Sequence, residues 1–555
     1  MSAQTHSREW VPMLAGLWLA VTAVALGLRP PLPVDETRYL AVAWDMWLEG
    51  HYLVPHLHGE PYSHKPPLLF WLMTAGWHLF GVNDWWPRLV APLFGLGSLA
   101  LTVRLAGLLW PDRGRIGALA GVLLFGAIFW TVFGTLTMFD MLLAFFALLA
   151  LQGLVAAARS GRLTGFCVAG VAMGFGVLAK GPAILLHVLP VALAAPWWLP
   201  RLVWAPAVFE RGRWYMGVGL SVVLAVVIGL AWALPAATAG GEAYRDAIFW
   251  GQSAERMVDS FAHARPVWWY AAVLPGLVLP WLIWPPLWRA ALRARGLLAD
   301  GGLRLCLIWF GTAFAAFSAI SGKQLHYLLP EFPALALIAA WVLTEGTTTA
   351  ETPTRPSAQR TRAADRWISG GPAIVAGAAI MAAPNLPLSP RALAVVAEIE
   401  PVWGILVVMA GVMTLVFPLT GPVRQALRMA SISAFVVLAI HLAAKPLLAK
   451  RYDLRPMATQ LAALEQDGKT IAYFGKYHGQ FHFLGRLKRP MVSIGQEGGD
   501  TEAFLRDHPE GVVVAKYRHL PRQAHPLFTY PFRGYTYAAW PAAALIANPG
   551  LGERR

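Results

Sequence analysis

The chain has 555 residues, 57% hydrophobic and only 14% charged, with a formal net charge of +15. So few charges on so long a chain exclude an ordinary soluble protein. The basic excess would suit a nucleic acid, but it sits in loops between apolar runs, which excludes that reading in favour of a membrane one. Cys167 and Cys306 both fall inside apolar runs, so no disulfide framework is expected.

A bilayer core takes helices of about 20 apolar residues, because every backbone polar group must be satisfied within the segment. Runs of this kind fall near 12–29, 88–110, 116–134, 137–157, 163–179, 183–199, 215–236, 267–287, 303–320, 325–344, 371–387, 402–419 and 430–448. The reading is a polytopic α-helical membrane protein with about thirteen spans. Arg8 precedes the first run and Ala23-Val24-Ala25 resembles a cleavage site, yet the run continues to Leu28 and many follow, which favours an uncleaved anchor. With the N-terminus in the cytoplasm, the clusters Arg104/Arg113/Arg115, Arg159/Arg162, Arg289/Arg293/Arg295 and Arg424/Arg428 all fall on the cytoplasmic side. An odd number of spans then puts the first loop and the C-terminal segment outside.

Three stretches are not spans: 30–87, 238–266 and 450–555. The division expected is a transmembrane unit over 1–449 and a C-terminal domain over 450–555. In the latter, TIAYFG and GVVVAKY read as buried strands and TEAFLRDH as a helix, giving a small α/β domain. The Thr-, Ala- and Pro-rich stretch within 345–370 reads as a cytoplasmic linker.

The first loop carries the chemistry. Residues 36–49 suit a helix, with Leu40, Ala43, Trp44 and Trp47 on one apolar face, and 68–80 suits a second. Both are too short to span and are expected to lie along the membrane surface. Asp35 and Glu36 open the first helix. Helix capping accounts for Asp35 taken alone, and the helix dipole for Glu36. Neither accounts for Arg38 and Tyr39 at i+3 and i+4, nor for Lys65 held before two prolines. A carboxylate beside fixed cations at a membrane border suits transfer from a lipid-borne phosphate. The acid takes a proton from an incoming hydroxyl, and the cations hold the departing phosphate. His51, His56, His58 and His64 are loosely spaced and have no cysteine nearby, so no metal is expected.

The stretch VDETRYLAVAWDMWLEGHYLVPHLHGEPYSHKPPLLFWL, residues 34–72, resembles the first external loop of the lipid A aminoarabinose transferase and protein O-mannosyltransferase group of GT-C glycosyltransferases. That resemblance implies the GT-C fold, surface helices after span one and a C-terminal periplasmic domain in a bacterial inner membrane. It implies a polyprenyl-phosphate sugar as donor, an envelope glycolipid, glycan or exported protein as acceptor, and no cofactor. By position it implies Asp35 as catalytic base, Arg38, Tyr39 and Lys65 at the donor phosphate, and Asp140 in TLTMFDMLLAFF as a second acid. Lys323 and Tyr327 in SGKQLHYLLP would lie near the phosphate, and His263 and Arg265 in HARPVWWY on the external side. The sequence departs at His64, where relatives often carry Glu. Each has a plainer reading: Asp140 as a cap, Lys323 as a snorkelling lysine, Tyr327 in the aromatic belt, Arg265 at lipid headgroups. Lys180 reads as an interfacial lysine before a Gly-Pro break, with contact to the donor phosphate as its other reading. The rival function is a transporter or flippase, which would place charges along its spans. A second is a binding protein indifferent to Asp35.

Overall fold

The computed structural model describes residues 2–205, 209–250, 264–348, 363–417, 421–495, 498–521 and 525–552. Nine helices build the half that carries the site: α1 (Ser2–Leu28), α2 (Asp35–Glu49), α3 (Leu68–Phe80), α4 (Trp85–Leu109), α5 (Gly114–Gly126), α6 (Ile128–Gly134), α7 (Phe139–Ser160), α8 (Leu163–Lys180) and α9 (Ala183–Leu193). Among the described residues eight helices are long and apolar enough to cross a membrane, or ten spans if each of two bent pairs counts once. Pro12–Leu28 and Pro401–Val416 are apolar but shorter.

Two of the departures from the thirteen expected runs fall at prolines, and a third is held by a tertiary hydrogen bond. Run 183–199 bends by 48° between α9 and the helix that follows, with Pro190 inside the first and Pro196 opening the second. Run 116–134 bends by 70° between α5 and α6, and the Ile128 N–H freed there donates to the carbonyl of Leu279. Run 267–287 is not one helix: prolines at 275, 280, 285 and 286 divide it into Trp269–Leu277, a 3-10 turn over Trp281–Ile283, and Pro285–Arg293. Elsewhere small residues bring helices close. A Cβ on Gly153 of α7 would lie 2.7 Å from the carbonyl oxygen of Gly165 in α8. The expected linker lies mostly at 349–362, outside the described residues.

After the helix Pro422–Arg451 comes a five-stranded sheet. Its strands are β3 (Ile471–Phe474), β4 (Val492–Ile494), β5 (Val512–Tyr517), β6 (Phe528–Phe532) and β7 (Tyr535–Pro541), in the order β4-β3-β5-β7-β6. The first three are parallel, and β7 runs antiparallel to both β5 and β6. The apolar start of β5, Val512 to Ala515, follows from burial on both faces. Val512 and Val514 pack with Leu461 and Phe481, whereas Val513 and Ala515 pack with Trp540 and Leu545.

This domain sits on the first loop, and there the surface-helix expectation needs correction. In α2 the buried residues include Glu36, Thr37, Tyr39, Ala41, Val42 and Met46 as well as the expected face of Leu40, Ala43 and Trp44. The helix is covered on both sides. Phe483 from the C-terminal domain joins the core of the bundle and stacks on Trp77 of α3 at 5.1 Å. The Trp44 indole N–H donates to the Leu487 carbonyl at 2.8 Å. Gly479, at φ +77°, comes so close to α2 that a Cβ would stand 2.7 Å from that of Ala41. A short hairpin, β1 (His56–Leu57) with β2 (Glu60–Pro61), leads from α2 towards α3.

Candidate active site

Asp35 is the first residue of α2. The capping position is Val34, with no side-chain capping bond, and the Asp35 carboxylate accepts from the Arg38 guanidinium at 2.5 Å. The helical spacing of three residues makes this pairing. Both side chains remain partly exposed. Tyr39 points inward and is buried against Phe139 edge-on at 4.9 Å and against Phe70 at 6.4 Å. Burial pushes its phenol well above the ordinary range, and the nearby Asp35 carboxylate adds to the push.

Glu36 faces the other way. It is buried in an ion pair with Arg29, and it accepts from the backbone N–H groups of Leu32 and Thr137, each at 2.8 Å. Arg29 also donates to the Thr135 carbonyl, and Arg88 of α4 donates to the Arg29 carbonyl at 2.6 Å. Burial alone would raise the Glu36 carboxyl; Arg29, Arg88 and the Thr137 N–H outweigh it and hold the carboxyl below its ordinary value. Glu36 is therefore a strut that ties the start of α2 to the turn just before α7.

That turn presents Asp140 in the first turn of α7, almost fully buried and paired with Lys180 from the end of α8. The Lys180 ammonium also stands over the Tyr327 ring, 4.7 Å from its centre. Lys65 approaches the same place, its ammonium 5.9 Å from the Phe139 ring centre. Asp140 interacts electrostatically with Lys180, His326 and Lys65, and His326 with Asp140, Lys180, Lys65 and Asp35. The two carboxylates and four of the expected partners, Arg38, Tyr39, Lys65 and Tyr327, thus converge on one end of the bundle.

The remaining residues sit as follows. The Lys323 ammonium donates to the carbonyls of Arg265 at 2.9 Å and Ile320 at 2.5 Å. It fastens a bridge in which the Arg265 N–H donates to the Ser321 carbonyl and Ala264 pairs with Gly322. Arg265 itself is exposed, with its guanidinium on the Ala264 carbonyl. His64 is exposed beside the Tyr62 ring, and His263 lies outside the described residues. Among the described residues no three His, Cys, Asp or Glu side chains gather as a metal-binding group. Lys180, read as interfacial, is instead the partner of Asp140. Two further residues, Arg29 and Arg88, went unread because their role depends on a turn more than a hundred residues from Arg29.

The chain is similar to known proteins over much of this region. Residues 64–232 match the family described as dolichyl-phosphate-mannose-protein mannosyltransferase. The undecaprenyl phosphate-alpha-4-amino-4-deoxy-L-arabinose arabinosyl transferase 1 of Sodalis glossinidius is 32% identical over 347 residues, 59% of each chain. The corresponding transferase 2 of Pseudomonas fluorescens is 29% identical over 61% of this chain and 60% of its own. This chain therefore spans about 60% of the length of those curated relatives. The crystal structure of apo ArnT from Cupriavidus metallidurans superposes with a TM-score of 0.73 at 19% identity, covering 96% of this chain and 98% of that one. The undecaprenyl phosphate-bound form gives 0.71 at 20% identity. The fold is that of the ArnT structures. The aminoarabinose transferases that the first loop resembles are found among both the sequence relatives and the solved structures.

Proposed function

We propose that this chain is a membrane glycosyltransferase that moves a sugar from a polyprenyl phosphate to an acceptor hydroxyl of the bacterial envelope, a lipid A-like glycolipid in the first instance. The observation that carries the reading is the half-exposed Asp35–Arg38 pair at the same end of the bundle as the buried Asp140–Lys180 pair, with Lys65 within electrostatic reach of Asp140. The relatives' names and the undecaprenyl phosphate in the ArnT structure support the donor class. The reaction faces the periplasm of the inner membrane, with the N-terminus in the cytoplasm and the sheet domain outside, as the distribution of arginine indicates.

Asp35 takes the proton of the acceptor hydroxyl while that oxygen attacks the anomeric carbon. The bond from that carbon to the phosphate oxygen breaks, and the polyprenyl phosphate leaves with the electron pair. Direct displacement inverts the anomeric centre. Arg38 and Lys65 meet the charge on the leaving phosphate, and Asp140 holds Lys180 over Tyr327 to complete a cationic wall. No metal is required for this charge work. Lys323 and Arg265 shape the rim through their backbone bridge.

The test is transfer by membranes carrying wild type or Asp35→Asn, offered extracted polyprenyl-phosphate sugars and envelope acceptors, with products weighed by mass spectrometry. Wild type yields an acceptor heavier by one sugar, and Asp35→Asn at equal abundance does not. Equal transfer by both would return Asp35 to a helix-end role, and absence of transfer by wild type would favour the transporter reading.

A further inference from the structure

A second buried acid lies deeper in the same half of the molecule. Glu331 ends a 3-10 turn over Leu325–Glu331, and His187 sits midway along α9. Both side chains are fully buried, and His187 Nδ1 and Glu331 Oε1 share a hydrogen bond at 2.5 Å. Nothing in the transfer chemistry above uses either group. Stability does not explain them, since a buried ionisable pair gains little over well-packed apolar residues of similar size. A buried ionisable pair within membrane-spanning segments points to a role in function.

Their neighbours indicate which role. The turn that Glu331 ends carries His326 and Tyr327. At the other end of that turn, the Tyr270 hydroxyl donates to the Gln324 carbonyl at 2.9 Å. The turn is thus pinned at both ends, with Tyr327 between the pins. α9 follows Lys180 across only Gly181 and Pro182, so the element that holds Glu331 is continuous with the one that delivers Lys180. One ring connects the two layers: Phe317 lies 5.5 Å from His187 and 6.2 Å from Tyr327. The hydrogen bond between His187 and Glu331 therefore fixes the distance between the two walls that meet where Lys180 stands over Tyr327.

We propose that His187 and Glu331 are a positioning pair that holds the Tyr327 turn against Lys180 and so sets the affinity of the site for the donor's phosphate. The inference rests on the reading of this site as a polyprenyl-phosphate site. A buried hydrogen bond is suited to the task because it is directional. Apolar residues would fill the same space but would let the turn slide against α9.

The experiment compares wild type, His187→Phe/Glu331→Leu and Glu331→Gln in the full chain. It measures melting in detergent, binding of undecaprenyl phosphate in nanodiscs, and KM and kcat for the polyprenyl-phosphate sugar. The apolar double variant melts like wild type, because no charge is left unpaired. Its kcat/KM falls on the order of 100-fold, mostly through KM, as expected when a binding wall is displaced by about an ångström. Glu331→Gln still accepts the His187 hydrogen bond and keeps wild-type KM and affinity. The inference is overturned if the double variant, melting like wild type, binds and turns over the donor as wild type does. It is equally overturned if Glu331→Gln, melting like wild type, loses donor affinity, a measurement that holds even where the double variant does not fold. Wild type that neither binds undecaprenyl phosphate nor transfers sugar would remove the donor reading itself, and the positioning role with it.

Discussion

Asp35 and Arg38 stand three residues apart on one helix, with side chains 50% and 22% exposed. Asp140 and Lys180 come from two helices, with side chains 2% and 13% exposed. Water reaches the first pair, so its partners can separate at small cost and Asp35 can meet a substrate hydroxyl. The second pair is sealed. Asp140 is not open to an acceptor, and its work is to hold a lysine in place. On the proposed reading, two acids in one site divide the labour, the exposed one exchanging protons and the buried one fixing a charge.

The largest effects should separate the pairs. Lys180→Met leaves a sealed carboxylate without its cation and should cost about 3–5 kcal/mol of stability. Asp35→Asn should cost no more than about 1 kcal/mol, yet lower transfer on the order of 10²–10⁴-fold. Melting of both purified variants in detergent, beside their transfer rates, reads the contrast. If Asp35→Asn melts as early as Lys180→Met, the comparison breaks and Asp35 belongs to the frame. The double variant Lys180→Met/Asp140→Leu sharpens it: stability should return while transfer stays low.

Glu36 gives an intermediate effect with a pH signature. Its carboxyl is held below the ordinary value of 4.5 by Arg29, Arg88 and the Thr137 N–H acting against burial. A depressed folded value means that the contribution is complete above the unfolded value and is lost as pH falls through the folded one. Wild type should therefore lose stability below about pH 4.5 more steeply than Glu36→Gln, which starts lower and stays flatter. Melting temperatures across the acid range test this. Parallel curves would mean that Glu36 is not ionised against Arg29 in the folded protein.

The sequence carried the local half of this site and not the distant half. Asp35, Arg38 and Tyr39 were legible because helical spacing puts i, i+3 and i+4 together without reference to any other element. Glu36 was legible as a charge but not as a strut, because its partners Arg29, Arg88 and Thr137 meet it only after four elements have packed. Lys180 looked like an end-of-span lysine for the same reason. Lys323 was placed at the phosphate by resemblance, and the bonds of its ammonium to two carbonyls were not legible. The spans followed from hydropathy except where prolines interrupted them and at the bend between α5 and α6, which contains no proline. Of the sheet, TIAYFG and GVVVAKY were readable as apolar runs, while β6 (FTYPF) and β7 (YTYAAWP), which mix Thr, Tyr and Pro among apolar residues without a clear period, were not.

The smallest effect concerns how the sheet domain holds the first loop over both pairs. Arg486 pairs with Asp84 at 2.5 Å, and both side chains are well exposed. The same guanidinium lies 3.8 Å from the centre of the Phe483 ring, which is itself buried in the bundle core. An exposed ion pair is worth about 0–1 kcal/mol and is screened by salt, whereas the aromatic contact persists without it. Asp84→Asn should therefore lower stability by at most about 1 kcal/mol, with the difference fading in high salt and transfer unchanged. A larger loss, or a loss of transfer, would show that docking of the sheet domain depends on this one charge rather than on Phe483 and the Trp44 hydrogen bond. It would also tie the water-facing pair at Asp35 to the domain that covers its helix, since α2 carries both Asp35 and Trp44.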